Sequence, residues 1–139
     1  MSSLYDLQTG LVSLYNGDSA VEAITGRTSQ NLIQRRALTT KKLPVVTYHV
    51  IVERELGGSQ NRRRAIVQIE AWGDPEQGHT LNDLSALIDR AEALFTSVNL
   101  AGESPSVDTA VFLGQRRDVF PEPDGVFGVA RDFTFEFSL

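Results

Sequence analysis

The sequence predicts an α+β domain: a mainly antiparallel four-stranded sheet with two helices packed on one of its faces. Two kinds of pattern lead to this fold class. Several segments alternate apolar and polar residues as half-buried strands do, and two others repeat apolar residues at helical spacing. Both patterns meet in the stretch from Arg64 to Val98. The 139 residues match the size of one domain with its own core.

The stretch from Arg64 to Val98 begins as a strand. Val67, Ile69 and Ala71 fall on one face, and Gln68 and Glu70 fall on the other. The strand closes at Trp72, and the turn residues Gly73-Asp74-Pro75 break it.

An amphipathic helix follows this turn. Thr80, with Asp83 three residues later, predicts a capping box at its start. We expect Trp72 and the apolar face of this helix to form the core. That face is predicted to contain Leu81, Leu84, Leu87, Ile88, Ala91, Leu94, Phe95 and Val98.

The N-terminal part predicts another helix and then an arm. Leucines spaced three or four residues apart between residues 4 and 15 indicate the helix, and residues 19–24 form a short second one that Gly26 ends. Residues 27–42 are polar, with basic pairs at Arg35-Arg36 and Lys41-Lys42, and we interpret them as a flexible arm. Such a segment either orders on contact with a partner or is a solvated linker.

Three further regions, 43–55, 107–114 and 127–138, are predicted to be strands, and two excursions project from strand ends. In the first, Gly57, Gly58 and Gln60 belong to the tip of a hairpin. A second excursion spans 115–125 and is broken by prolines. The first strand is predicted to place Val46, Tyr48, Val50 and Val52 on one face and Thr47, His49, Glu53 and Glu55 on the other. The last strand is predicted to place Phe127, Val129, Phe133, Phe135 and Phe137 opposite Gly128, Asp132, Thr134, Glu136 and Ser138.

Composition excludes several classes of function. Without cysteine there is no disulfide, thiolate zinc site or cysteine nucleophile. No apolar run is long enough to span a bilayer, and the N-terminus lacks the features of a secretory signal, so we expect synthesis in the cytoplasm and no membrane partner. The net charge of −5 argues against a free nucleic-acid-binding module, because phosphate contacts need a basic surface.

Residues with catalytic potential are few. His49 lies on a strand face with Glu53 and Glu55, a trio that can hold a divalent ion, although charged strand faces are usually solvated. His79 stands alone in a turn. No nucleophile elbow or phosphate-binding loop is present. We therefore predict no catalytic, metal or cofactor site, and a small enzyme or ligand-binding domain remains the alternative from a different class.

Two basic groups flank the excursions. Arg62, Arg63 and Arg64 stand at the exit of the hairpin tip, and Arg116-Arg117 precede Asp118 on the second excursion. Each group is either a solvated flank or a contact with an acidic partner or with nucleic acid passing nearby.

The ordered combination of these elements resembles a known family. Leu43-Pro44-Val45-Val46 opens a strand, and the segment 66–72 reads IVQIEAW directly before the amphipathic helix. Asp124-Gly125-Val126-Phe127 and Asp132-Phe133-Thr134-Phe135 are similar to a closing pair of strands. In this order the motifs resemble the tail terminator, or tail-completion, proteins of lambda-type long-tailed phages.

The resemblance implies a structural role without catalysis. Members of this family form a hexameric ring that caps the tail tube, stops its polymerisation and presents a surface to the head-tail connector. The implied partners are other copies of the chain, the tail tube protein and the connector or neck protein. The implied location is the head-proximal end of the virion tail, after assembly in the host cytoplasm. DNA is expected to pass through the lumen without specific binding.

The same comparison suggests where the contacts lie. We expect the excursions to reach the tube or the connector, through Gly57, Gly58, Gln60, Arg62, Arg63, Arg64, Arg116, Arg117 and Asp118. A ring needs two different complementary surfaces on each subunit. Candidates for the contact between subunits are Arg35, Arg36, His49, Glu53, Asp132 and Glu136. A neck or head-closure protein that binds the portal side is the nearest alternative.

Overall fold

The computed structural model describes residues 3–35, 43–55, 62–96, 98–100, 110–116, 120–121 and 126–138. The helices are α1 (Ser3–Asn16), α2 (Ser19–Thr25) and α3 (Leu81–Leu94), and a 3-10 turn spans Pro75–Gln77. The strands are β1 (Leu32–Gln34), β2 (Val45–Glu55), β3 (Arg62–Gly73), β4 (Ala110–Arg116), β5 (Phe120–Pro121) and β6 (Phe127–Ser138).

The described strands form one mixed sheet in the order β1-β2-β3-β6-β4, with β5 paired to β6. The pairs β2-β3, β3-β6 and β4-β6 are antiparallel, and only β1 runs parallel to its neighbour β2. The predicted α+β class with a mainly antiparallel sheet is therefore confirmed. The structure adds the two short strands β1 and β5 to the four that the sequence predicts, because strands of two or three residues show no measurable alternation.

The strand β1 lies inside the segment that we interpreted as an arm. Leu32 is buried in the main core, and the Asn16 side-chain oxygen accepts the backbone N–H groups of Asn31 and Leu32 at 2.7 and 3.1 Å. The side-chain amide of Asn31 donates to the carbonyl of Arg27 at 2.9 Å. The beginning of this segment is thus part of the fold, and residues 36–42 lie outside the described part of the chain.

The helix α3 begins as its sequence predicts. The Thr80 hydroxyl accepts from the Asp83 N–H at 3.2 Å, and the Asp83 carboxylate accepts from the Thr80 N–H at 3.0 Å, which completes the capping box. The predicted apolar face is correct in its middle and wrong at its ends. Leu81, the first residue of α3, is 48% exposed, and Val98, which lies beyond the end of α3 at Leu94, is 79% exposed.

The main core lies between the helices and one face of the sheet, here called the inner face. The predicted alternation of β3 is confirmed, since Val67, Ile69 and Ala71 are fully buried there. A chain of aromatic contacts links the layers: Tyr15 meets Phe95 at a centroid distance of 6.0 Å, and Phe95 meets the ring of Phe133 edge-on at 5.9 Å. Such pairs add about 0.5–1.5 kcal/mol each beyond the area that they bury.

Arg131 interrupts the apolar face that the sequence predicts for β6. It occupies the inner-face position between Val129 and Phe133 and is only 7% exposed. Its guanidinium reaches the surface of α3, where it lies 2.8 Å from the Glu92 carboxylate and 3.3 Å from that of Asp89. A long arginine side chain can thus occupy an inner position because its charged end leaves the core.

The strand β2 contains an irregularity that breaks its predicted alternation. Val50 pairs with Val67, but Val52 pairs with Ile66 and Glu53 pairs with Ala65, so Ile51 is the extra residue of a β-bulge. The prediction that Val52 continues the face of Val50 is therefore wrong. The prediction that Glu53 and Glu55 share the face of His49 is also wrong, because Glu53 pairs with Ala65, on the opposite face of β3 from Gln68, the partner of His49. Ile51 itself is 45% exposed.

Asp18 links two of the helices, α2 and α3. Its carboxylate caps α2 by accepting the Val21 N–H at 3.1 Å, and it binds the Arg90 guanidinium of α3 through two contacts at 2.9 and 2.7 Å. The hydrogen bonds from Arg90, with those from the backbone of Val21 and Ala20, lower the pKa of Asp18. Nearby, the buried Tyr15 hydroxyl donates to the Leu87 carbonyl at 2.7 Å, and burial raises the pKa of Tyr15.

The double role of Asp18 predicts a pH-dependent stability. Asp18→Asn keeps an N-cap oxygen but removes the charge that Arg90 binds, so we expect a loss of about 1 kcal/mol near neutral pH. The folded-state pKa lies below the ordinary value of 3.8. The greater stability of the wild type relative to Asp18→Asn is therefore present above pH 3.8. It is lost as the pH falls through the folded-state pKa of Asp18.

Urea unfolding of both proteins over a pH series measures this difference. Glu76→Gln, at an exposed position of the 3-10 turn, is the matched control that changes one exposed charge. A difference between Asp18→Asn and wild type that stayed constant down to the lowest pH would contradict the ion-pair explanation.

Candidate assembly surface

The face of the sheet opposite the helices, here called the outer face, contains most of the described residues that the sequence predicts as contacts. The register places side chains of β2, β3 and β6 there in rows, because directly paired residues lie on the same side of a sheet. One row is His49, Gln68 and Asp132, and the row nearer the β2–β3 connection is Arg54, Arg64 and Glu136.

The row of His49, Gln68 and Asp132 brings two predicted interface residues to the same strip. His49 is opposite Gln68, and the Gln68 amide donates to the Asp132 carboxylate at 3.2 Å. His49 and Asp132 are half-buried, and Gln68 is 8% exposed. The sheet therefore holds a ring nitrogen and a carboxylate at fixed positions in this strip.

Arg64 and Glu136, which the sequence analysis assigns to different partners, bind each other. The Glu136 carboxylate accepts from both Nε (3.1 Å) and Nη2 of Arg64. Arg54 is exposed and lies directly opposite Arg64 in the register. Two like charges at opposing positions destabilise a strand pair, and the carboxylate of Glu136 offsets this repulsion on one side.

A smaller apolar cluster covers the other end of the outer face. Trp72 is fully buried there with Leu43, Val45 and Val126, and its indole N–H donates to the Thr47 hydroxyl at 2.9 Å. The expectation that Trp72 joins the helix face in one core is therefore wrong. Odd and even positions of β3 point to opposite faces, and Trp72 shares its face with Glu70 instead of Ala71.

Arg35, a predicted interface residue, lies against this cluster. Its guanidinium lies 5.5 Å from the centroid of the Trp72 ring and 3.4 Å from a carboxylate oxygen of Glu70. Glu70 is 1% exposed, whereas the Arg35 side chain is 41% exposed. A buried carboxylate needs a nearby cation, so this contact holds the end of β1 on the outer face.

The arginine contact predicts a strong coupling between two positions. Arg35→Ala leaves Glu70 with less compensation, and we expect a loss of about 2 kcal/mol in the free energy of unfolding. In a Glu70→Gln background the same change should cost about 1 kcal/mol or less, since the buried group is then neutral. Urea unfolding of the four proteins gives the coupling energy, and additive losses would contradict a direct interaction.

For most of the other predicted contact residues, the whole residue or its side chain lies outside the part of the chain that the structure describes. Gly57, Gly58, Gln60, Arg36, Arg117 and Asp118 are not among the described residues. The backbones of Arg62, Glu53 and Arg116 lie in β3, β2 and β4, and their side chains are outside the described part. Arg63 belongs to β3, opposite Glu55 and Phe137.

The two histidines do not form a common site. The ring of His79 accepts the Asp74 backbone N–H at 2.9 Å, which stabilises the turn between β3 and α3. A Cβ added at Gly73 would lie 3.0 Å from Cβ of His79, so a larger residue there would require His79 to shift. In the part of the chain that the structure describes, no three His, Asp or Glu side chains are grouped to hold a metal ion.

A groove that sequence reasoning missed runs along the exposed side of α1. Its volume is about 400 Å³, and it lies where α1 meets the end of β1 and the middle of β2. Tyr5, at its rim, is 62% exposed. The sequence contained one signal for this groove: Tyr5 is an aromatic residue that does not share the helical spacing of the buried Leu7, Leu11 and Tyr15. The groove residues are Tyr5, Gln8, Thr9, Val12, Ser13, Gln34 and Tyr48.

Comparison with known proteins gives one kind of match. No family model matches the chain, and no curated protein does. The fold is similar to that of a chain in the solved virion of a native gene transfer agent (GTA) particle. The TM-score is 0.61 with 8% sequence identity, over 93% of this chain and 92% of that one. At this identity the similarity shows a shared fold over nearly the whole of both chains.

Within the described ranges, no helix is both long and apolar enough to cross a membrane.

Proposed function

We propose that this protein is a structural component of a tailed, phage-like virion, and specifically a tail terminator. It forms a ring, with a hexamer as the expected size, that caps the tail tube and stops its polymerisation. The observation that carries the proposal is the fold similarity to a chain of a GTA virion over 93% of the sequence. The ordered motifs that resemble tail terminators agree with it independently.

The outer face supports a role in assembly. It combines a polar strip with charged residues that several strands hold in fixed rows. A preorganised polar strip suits contact with another protein, because little side-chain entropy is lost on binding. Asp18 and Asp83 cap helices, and Asp132 and Glu136 bind side chains of β3, roles that suit a structural protein, for which we propose neither catalysis nor a cofactor.

The partners follow from the same proposal. Other copies of the chain close the ring, the tail tube protein binds one side, and the head-tail connector binds the other. This places the protein at the head-proximal end of the tail. The net charge of −5 disfavours tight binding to DNA that passes through the ring.

Capping of tubes tests the proposal directly. We expect the purified protein to stop polymerisation of the tail tube protein from the same particle and to bind tube ends as a hexamer. Electron microscopy measures tube length, and native mass measurement of the end complex counts subunits. A protein that stays monomeric and leaves tube length unchanged would contradict the proposal. Capture by purified connector protein but not by tubes would favour a neck or head-closure protein instead.

A variant of the outer face sharpens this test. Asp132→Arg reverses a charge in the His49 strip, and we expect it to weaken capping by about tenfold if this strip is a contact. Glu76→Arg makes the same change at an exposed position of the 3-10 turn and should cap like the wild type. Circular dichroism checks that both variants fold. Equal capping by both would show that the strip is not a contact.

A further inference from the structure

We propose that neighbouring copies of this chain join by β-strand addition: the free edge of β4 in one copy pairs with the free edge of β2 in the next. The free edge of β2 consists of residues 49–55, and that of β4 consists of residues 110–116. The proposal rests on the ring proposed above and identifies the two surfaces that a head-to-tail contact joins.

Both edges lack a strand partner on one side within the part of the chain that the structure describes. The strand β1 pairs with β2 only from Val46 to Tyr48, so beyond Tyr48 the strand β2 has β3 on one side and no described strand on the other. The strand β4 is the last of the sheet and pairs with β6 alone. The backbone N–H and C=O groups of such edges can pair with a strand of another chain.

The two free edges lie at the same level of the sheet. Ala110, at the start of β4, belongs to the register row of Glu136 and Arg54. Arg116, at the end of β4, belongs to the row of Tyr48, where β1 stops. The strand β4 therefore spans the levels that β1 leaves open on the opposite side of the sheet. The remaining levels are extended by β1 on one side and by β5 on the other.

The directions of the two edges also match. The strands β2, β3, β6 and β4 alternate in direction, because each neighbouring pair among them is antiparallel. The strands β2 and β4 therefore run in opposite directions. A second copy that is rotated about an axis along the strands places its β4 antiparallel to β2 of the first copy and at the same level. Repeating this rotation gives a heterologous contact, which a closed ring requires.

The residues at the two edges suit a contact that becomes covered. The strand β4 begins with the apolar run AVFL at residues 110–113. Ile51, the bulge residue of β2, is 45% exposed and lies between the rows of Phe112 and Leu113. An apolar strand at a sheet edge is prone to pairing with unrelated chains, so a partner that covers it removes a liability.

The free edge of β2 also contains features that limit pairing with unrelated strands. The bulge at Ile51 increases the local twist, and residues 53–55 are the charged run Glu-Arg-Glu. Pairing is therefore confined to a short segment, and a partner must match it in length, direction and level. The strand β4 of another copy meets all three conditions.

Cysteine cross-linking tests the pairing, because the chain has no cysteine of its own. Arg54→Cys labels the free edge of β2 at an exposed position, and Ala110→Cys labels the same row on β4. The two variants are mixed, with and without tube ends, and treated with a short bismaleimide, which tolerates a wider range of geometry than a disulfide. We expect the mixed dimer to exceed both symmetric dimers. A double variant should give multimers up to the size of the ring.

Ala93→Cys, at an exposed position of α3, is the matched control and should give only background cross-linking with Ala110→Cys. A yield from Arg54→Cys and Ala110→Cys that equals this background would overturn the proposal. An excess of the symmetric Arg54→Cys dimer would also overturn it, since two β2 edges would then meet around a two-fold axis.

Hydrogen exchange of the wild-type protein provides a second arm that needs no variant. Alternate residues of an edge strand direct their N–H groups away from the existing neighbour. About half of the amides in residues 49–55 and 110–116 should therefore exchange about tenfold more slowly in the ring than in the free chain. Residues 66–72 of β3, which have paired strands on both sides in the single chain, are the internal reference. Unchanged exchange at either edge would overturn the proposal.

The outcomes separate this contact from the function on which it rests. If tubes are capped without the cross-link, the terminator function stands and other surfaces close the ring. If the cross-link forms while tube length is unaffected, the contact between copies stands and the terminator function is removed.

Discussion

The pairing of β3 with β6 is the constraint on which the rest of the structure depends. It runs without interruption from Arg62–Ser138 to Gly73–Phe127 and occupies the middle of the sheet. A slip of one residue would turn Gln68 and Glu70 toward the helices and expose Val67 and Ile69. The buried contacts of α3 and the polar rows of the outer face therefore depend on the same register.

Local patterns predict the parts of the fold that local chemistry determines. The capping box at Thr80, the alternation of β3 and the α+β class all follow from residues within a few positions of each other. The bulge at Ile51 and the inner position of Arg131 were missed because each depends on a partner from elsewhere: β3 for the bulge, and Asp89 and Glu92 for the arginine.

In the candidate surfaces, too, the sequence predicts individual residues but not the contacts between distant segments. His49, Asp132 and Glu136 could be chosen from the sequence because they stand on polar strand faces. That Glu136 is bound by Arg64, or Arg35 by Glu70, depends on pairings between distant segments. The groove combines α1, β1 and β2, so no single segment contains its pattern.

Asp18 has a consequence for motion within the helical layer. One carboxylate both starts α2 and binds Arg90 of α3, so the local opening of the short helix also breaks its link to the long one. A seven-residue helix alone is too short to persist in water. Its amide hydrogens should therefore exchange with solvent at a rate coupled to the separation of the two helices, as members of one cooperative folding unit.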